Sequence, residues 1–304
     1  MFIDEQKKIP VNGAPQYVSI RAEKKDAPLL LYLHGGPGDA ALPLVLRYNK
    51  ALESCFTVVV WEQRGAGKSY DAFDGGALTL DTFLEDLQSL VEILLARFEK
   101  ESLYLVGHSW GSVLGLKFTQ SHPELVHTYI GCGQVVNMKK SCRVAYEFAL
   151  AHADQKALER LKGIDCSYTA DSWLDDLLFV TKQVVKHRGS LYNRTNYRDL
   201  VSPFLFSKHY TLFDLYRRQK GSLRSIKALW QELMQVDFEG VTRYQSPILL
   251  VEGRYDSHVS SALAKEYFDT IETEKQFFWF EKSCHFPQWS ESDRFNKLLA
   301  GLLE

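Results

Sequence analysis

A short apolar run, Leu103-Tyr-Leu-Val, passes directly into Gly107-His108-Ser109-Trp110-Gly111, and helix-like apolar spacing follows until His122-Pro123. No other stretch limits the fold so strongly. A Gly-x-Ser-x-Gly turn between a strand and a helix holds a serine hydroxyl clear of the sheet. Such a turn brings backbone segments very close, so the glycines at 107 and 111 meet a steric requirement. A serine hydroxyl is a poor nucleophile until a base takes its proton. The turn therefore predicts an imidazole and a carboxylate elsewhere in the chain.

In this arrangement the three groups follow the chain order serine, acid, histidine. An apolar strand at 247–251 is followed by Glu252-Gly-Arg-Tyr-Asp256, which sets an acid beyond a strand's carboxyl end, where open α/β sheets place their sites. A strand at 276–280 is followed by Ser283-Cys-His285-Phe-Pro287, which sets a histidine on the next such loop. Ser109 is thus the expected nucleophile, His285 its base, and Asp256 the group that orients the base. Glu252 and Asp269 compete as acids but sit at a strand end and a helix end; His108 and His258 compete as bases. A developing oxyanion needs two donors. The backbone N–H of Trp110 is one, and the loop His34-Gly-Gly-Pro-Gly38 supplies the other, at Gly36 with Gly35 as the alternative.

Strands are expected at 16–21, 29–33, 56–61, 103–106, 128–131, 247–251 and 276–280, alternating with helices at 81–98, 113–120, 263–268 and 293–303. That alternation predicts an α/β fold, a mainly parallel sheet with helices on both faces. It stops between about 134 and 240, where helices at 144–161, 172–186 and 223–234 carry many charges and aromatics. The expected organisation is a core of 1–133 and 241–304 with a helical cap, 134–240, inserted between two core strands.

Thirty-six basic residues stand against 38 acidic ones, which gives no bias toward nucleic acid or an anionic membrane. Arg217-Arg218-Gln-Lys220 is expected to be a solvated helix face. Cys55, Cys132, Cys142, Cys166 and Cys284 are scattered and odd in number, which suits free thiols in a reducing compartment. No apolar signal core or membrane-length stretch is present, so a soluble, cytoplasmic protein is expected. Gly65-Ala-Gly67-Lys68-Ser69 resembles the end of a phosphate-binding loop, but Glu62 stands where its first glycine belongs. Gly131-Cys-Gly133 lacks the third glycine of a dinucleotide fingerprint, with Val136 in its place. No metal-binding spacing occurs, and neither a cofactor nor a metal is expected. Composition leaves the oligomeric state open.

His34-Gly-Gly-Pro-Gly38, Trp61-Glu-Gln-Arg-Gly-Ala-Gly-Lys-Ser69, Gly107-His-Ser-Trp-Gly111 and Gly253-Arg-Tyr-Asp256 together resemble the signature blocks of proline iminopeptidase-like α/β-hydrolases. The resemblance covers about 6–133 and 241–304. It implies an α/β-hydrolase fold, a helical cap, no cofactor, catalytic residues at Ser109, Asp256 and His285, and oxyanion donors at Gly36 and Trp110. Members that release N-terminal proline hold the free ammonium with acidic residues, mostly from the cap. Glu147 and Glu232 are the candidates here, each in an aromatic helical setting, although a solvated helix carboxylate explains either one equally well. The expected activity is that of an aminopeptidase on short peptides or small amides. The alternative is a carboxylesterase, or a hydrolase of another small-molecule bond (lactone, amide or carbon–carbon), with the same triad.

Overall fold

Apolar side chains on alternate strand positions build two cores, one on each face of a single sheet. The computed structural model describes residues 3–73 and 75–304. Its strands are β1 (Ile3–Val11), β2 (Ala14–Ala22), β3 (Leu29–Leu33), β4 (Thr57–Glu62), β5 (Leu103–His108), β6 (Val126–Cys132), β7 (Ile248–Gly253) and β8 (Lys275–Phe280). They lie in the order β1-β2-β4-β3-β5-β6-β7-β8. Every neighbouring pair from β4 to β8 is parallel, whereas β2 runs antiparallel to both β1 and β4.

Side chains point to opposite faces at successive strand positions. Leu29, Leu31, Leu33, Val59, Trp61, Leu103 and Leu105 accordingly share one core with helices α2 (Leu80–Phe98) and α3 (Trp110–Ser121). Leu30, Tyr32, Val58, Val60, Tyr104 and Val106 share the other with α1 (Leu42–Tyr48) and α11 (Ser292–Ala300). Strands buried on both faces read as unbroken apolar runs, which is why β3, β4 and β5 are legible in the sequence. α9 (Ser261–Thr270) connects β7 to β8, and the single turn α10 (Pro287–Ser290) follows β8. The expected α/β architecture is present.

Several elements of the core lie outside the sequence expectation, among them β1, α1 and the single turn α10. β1 alternates charged and half-buried residues at the sheet edge, so it carries no apolar run, and α1 is a seven-residue helix that opens on Leu42-Pro43.

Between β6 and β7 the described chain forms no strand of the sheet and instead folds into α4 (Met138–His152), α5 (Gln155–Leu161), α6 (Trp173–Lys186), α7 (Arg198–Leu205) and α8 (Leu212–Leu233). The helix expected over 144–161 is two helices. The chain breaks at Ala153, and Asp154 restarts it by accepting the Ala157 N–H at 2.9 Å. α8 starts well before the predicted 223, because Thr211 and Asp214 form a reciprocal capping box at its N-terminus. Just ahead of that box the Tyr210 hydroxyl donates to buried Glu62 at the end of β4, and the Lys68 N–H donates to the other carboxylate oxygen at 2.6 Å. The insertion is thereby tied to the core. Among the described residues no helix is long and apolar enough to cross a membrane, and all five cysteines are unpaired.

Candidate active site

Ser109 sits between β5 and α3 at φ 53°, ψ −119°, a conformation that costs a non-glycine residue of the order of 1–3 kcal/mol. The backbone on either side of it is closely packed. A Cβ at position 107 would lie 2.6 Å from the Gly111 carbonyl oxygen, and one at 111 would run into the Leu33 carbonyl oxygen. The elbow expected from the sequence is therefore built as a close crossing of β5, α3 and β3. Trp110 opens α3, so its N–H is one of those that a helix leaves without an internal acceptor. Gly36 has φ +125°, open to glycine, and a Cβ there would meet the Asp39 nitrogen at 2.7 Å. Gly35 packs against Ser109, and a Cβ at position 35 would lie 3.3 Å from the Ser109 Cβ.

The loops after β7 and β8 bring the acid and the imidazole together. His285 Nδ1 lies 2.9 Å from Asp256 Oδ2, with the two residues 2 % and 5 % exposed. Asp256 Oδ1 accepts the backbone N–H groups of His258 at 2.7 Å and Val259 at 3.3 Å. Burial alone would raise the pKa of Asp256. The His285 ring and its hydrogen bond, with help from His258, outweigh that and hold it below the ordinary carboxylate value. An ionised Asp256 makes Nδ1 the protonated nitrogen, which leaves Nε2 with a lone pair and basic.

The same loops are stitched to the insertion. Just past α6 the Ser190 carbonyl accepts the His285 N–H at 3.1 Å and the Gly189 carbonyl accepts the Ser257 N–H at 2.9 Å. The Cys284 thiol donates to the Arg188 carbonyl at 3.3 Å.

Ser109, Trp110, Gly35, Gly36, His258 and His285 all line one cavity of about 510 Å3, closed over by α4, α6, α7 and α8. Most of its remaining wall is apolar, with Val113, Val135, Met138, Leu177, Val184 and Ile226. Its charged wall residues are Asp39, from the loop after β3, and Arg218, from α8. Arg218 Nη2 donates to Asp39 Oδ2 at 3.0 Å and Nε donates to Oδ1, a two-pronged pair. Asp39 more than offsets the effect of burial and raises the pKa of the guanidinium. The sequence expectation of a solvated face at 217–220 is corrected here: Arg217 pairs with Asp71 outside, but Arg218 faces the cavity.

The proposed ammonium ligands lie elsewhere. Glu147 is exposed on α4 and forms no part of the cavity wall. Glu232 on α8 accepts the Leu80 N–H at 2.8 Å, satisfying the start of α2. Among the rival acids, Glu252 is buried, accepts the Gln134 N–H at 2.8 Å, and has its pKa pushed well up by burial. Asp269 pairs with Lys265 on the surface. His108 spends Nε2 on the His285 carbonyl oxygen at 2.9 Å, and burial pushes its pKa well down. Sequence reasoning missed Asp39, Arg218 and Tyr197 as cavity residues. The only signal for Arg218 is its spacing from Asp214, Gly221 and Ser225, which together form the buried stripe of α8.

A family description for serine aminopeptidases, S33, matches residues 50–291. The chain is 32 % identical over 300 residues to the probable aminopeptidase YbaC of Bacillus subtilis (strain 168), covering 97 % of this chain and 94 % of that one. It is 24 % identical over 291 residues to a proline iminopeptidase of Heyndrickxia coagulans, covering 90 % of each. Among solved structures it superposes on VinJ with a TM-score of 0.75 at 18 % identity, covering 98 % of both chains. The proline iminopeptidase of Mycobacterium smegmatis gives 0.68 at 17 % identity, covering 98 % of this chain and 97 % of that one. These structural likenesses establish the α/β-hydrolase fold.

Proposed function

Because this chain belongs to the serine aminopeptidase S33 family of α/β-hydrolases, we propose that it is a serine hydrolase cleaving small amides, with Ser109 as nucleophile, His285 as base and Asp256 as its orienter. The observation that carries this reading is the His285–Asp256 hydrogen bond of 2.9 Å, made at the rim of the cavity that Ser109 also lines. Ser109 Oγ attacks the scissile carbonyl carbon while its proton passes to His285 Nε2. The oxyanion is taken up by the N–H groups of Trp110 and Gly36, each such donor contributing about 3–4 kcal/mol to the transition state. His285 then returns the proton to the leaving amine as the C–N bond breaks. Water attacks the acyl-serine with the same imidazole as base, and Ser109 is regenerated. The inserted helices, 134–240, act as a cap that restricts the site to small substrates.

The relatives in Bacillus subtilis and Heyndrickxia coagulans, a probable aminopeptidase and a proline iminopeptidase, favour an aminopeptidase. The cavity wall supports a second reading, an esterase or amidase for a neutral apolar acyl group. A buried ammonium needs a compensating charge, and Asp39, the carboxylate in the wall, is already paired with Arg218. Amino-acid arylamides with a free amine, their N-acetyl counterparts and short acyl esters, offered to one preparation, separate the two readings. Turnover of free-amine arylamides supports the aminopeptidase, and turnover confined to neutral acyl substrates retires it. Ser109→Ala abolishes both activities while the melting temperature stays within a few degrees. Retained turnover would move the nucleophile elsewhere.

A further inference from the structure

His258 lies two residues beyond the proposed acid, and its ring is placed by three contacts. Its backbone N–H donates to Asp256 Oδ1 at 2.7 Å, so the residue is fastened to the same carboxylate that holds the base. Its Nδ1 lies 3.0 Å from Ser190 Oγ, on the segment of the insertion that also accepts the His285 N–H. Its face stacks on the His285 ring, with centroids 4.6 Å apart and planes 25° from parallel. On the cavity side it forms part of the wall.

These contacts exclude a rival base. Among the described residues no carboxylate is bonded to the His258 ring, whereas Asp256 Oδ2 is bonded to His285. The groups facing His258 are Asp256 on its own loop, His285 from the loop after β8, and Ser190 from the insertion. Burial, then the neighbouring His285, push its pKa down to about 3, so the ring is neutral at ordinary pH. It adds no charge beside the imidazolium that forms on His285 during turnover. His108 approaches the same ring at 4.9 Å and is tilted by 44°, but it is bonded to the His285 backbone and offers no parallel face.

Resting on the triad proposed above, we propose that His258 is a positioning residue, a flat neutral ring that fixes the plane of the His285 imidazole so that Nε2 stays aimed at Ser109. A flat face restrains rotation about the final torsion of the His285 side chain, adding to the hydrogen bond from Nδ1 to Asp256 and to the edge-on contact of the Phe286 ring at 5.0 Å. Small misplacements of reacting groups cost rate steeply. The role predicts an effect on kcat with little effect on KM, and it requires a planar side chain rather than a titrating one.

The test is the series His258→Phe, His258→Leu and His258→Ala, assayed on a short acyl ester and by the rate of fluorophosphonate labelling. Leu and Ala should lower kcat and the labelling rate by about ten- to a hundredfold with KM within about twofold. Phe, which keeps the flat face but cannot bond Ser190, should recover most of the loss. Wild-type kcat in His258→Leu, or equal losses in Phe and Leu, overturns the proposal. Should His258→Ala fail to fold, the Phe and Leu variants decide the matter alone, since both fill the space. Labelling of the wild type separates the two claims. An unlabelled wild type sinks the triad, whereas a labelled wild type with unaffected variants sinks only the role of His258.

Discussion

Asp256 is held by one side-chain and two backbone donors, and only the ring nitrogen among them bears on the reaction. Asp256→Asn keeps the shape but can offer an amide N–H to Nδ1, which then becomes the acceptor and leaves the proton on Nε2. The expected loss in kcat is about 10³–10⁴-fold with the fold intact, measured on a short acyl ester alongside a melting curve. A variant within tenfold of wild type would mean that another group orients the base. The positions of the proposed triad are legible in the sequence because their loops follow recognisable strands and because the elbow demands glycines. Arg218 is not. Its partner Asp39 lies far away along the chain, and in sequence a guanidinium that faces a cavity resembles its solvated neighbours. Glu147 and Glu232 lie off the cavity wall for a related reason. A helix's sequence fixes which side chains share a face, but the packing of the insertion on the core decides where that face points.

At the scale of elements the elbow and α8 make contrasting predictions. In Gly111→Ala the added methyl presses on the Leu33 carbonyl, where the approach of α3 to β3 leaves no room. Overpacking of this kind costs about 1–3 kcal/mol and should lower the urea midpoint while slowing Ser109 labelling. Unchanged stability and labelling would show that the crossing is looser than described. Thr211→Ala removes half of a capping box and should cost about 1 kcal/mol with the triad untouched, visible as a lower urea midpoint at normal labelling rate. The doubly buried strands β3 to β5 were evident from their apolar runs. β1 was hidden because an edge strand has only part of one face to bury. The start of α8 was hidden because its first turns carry exposed Leu212, Phe213 and Tyr216, which show no burial period.

For the whole molecule, the burial of Glu62 links stability to pH. Burial raises the Glu62 pKa from an ordinary carboxylate value of 4.5 to about 7, against the pull of the Tyr210 hydroxyl and the Lys68 N–H. The folded state therefore keeps this proton at pH values where the unfolded chain has lost it. The stability this confers is complete below about 4.5 and disappears as pH climbs through about 7, a change on the order of 3 kcal/mol. Wild type minus Glu62→Gln, compared by urea unfolding between pH 5 and 8, should fall across that window. A difference that is flat with pH would remove Glu62 as its source. The backbone stitches at Arg188, Gly189 and Ser190 have another consequence. The module that would select the substrate also braces the loops carrying Asp256 and His285, so it cannot swing away at that border like a hinged door. A chimaera that exchanged this module for a relative's would inherit new scaffolding for the proposed base, His285, along with a new cavity wall.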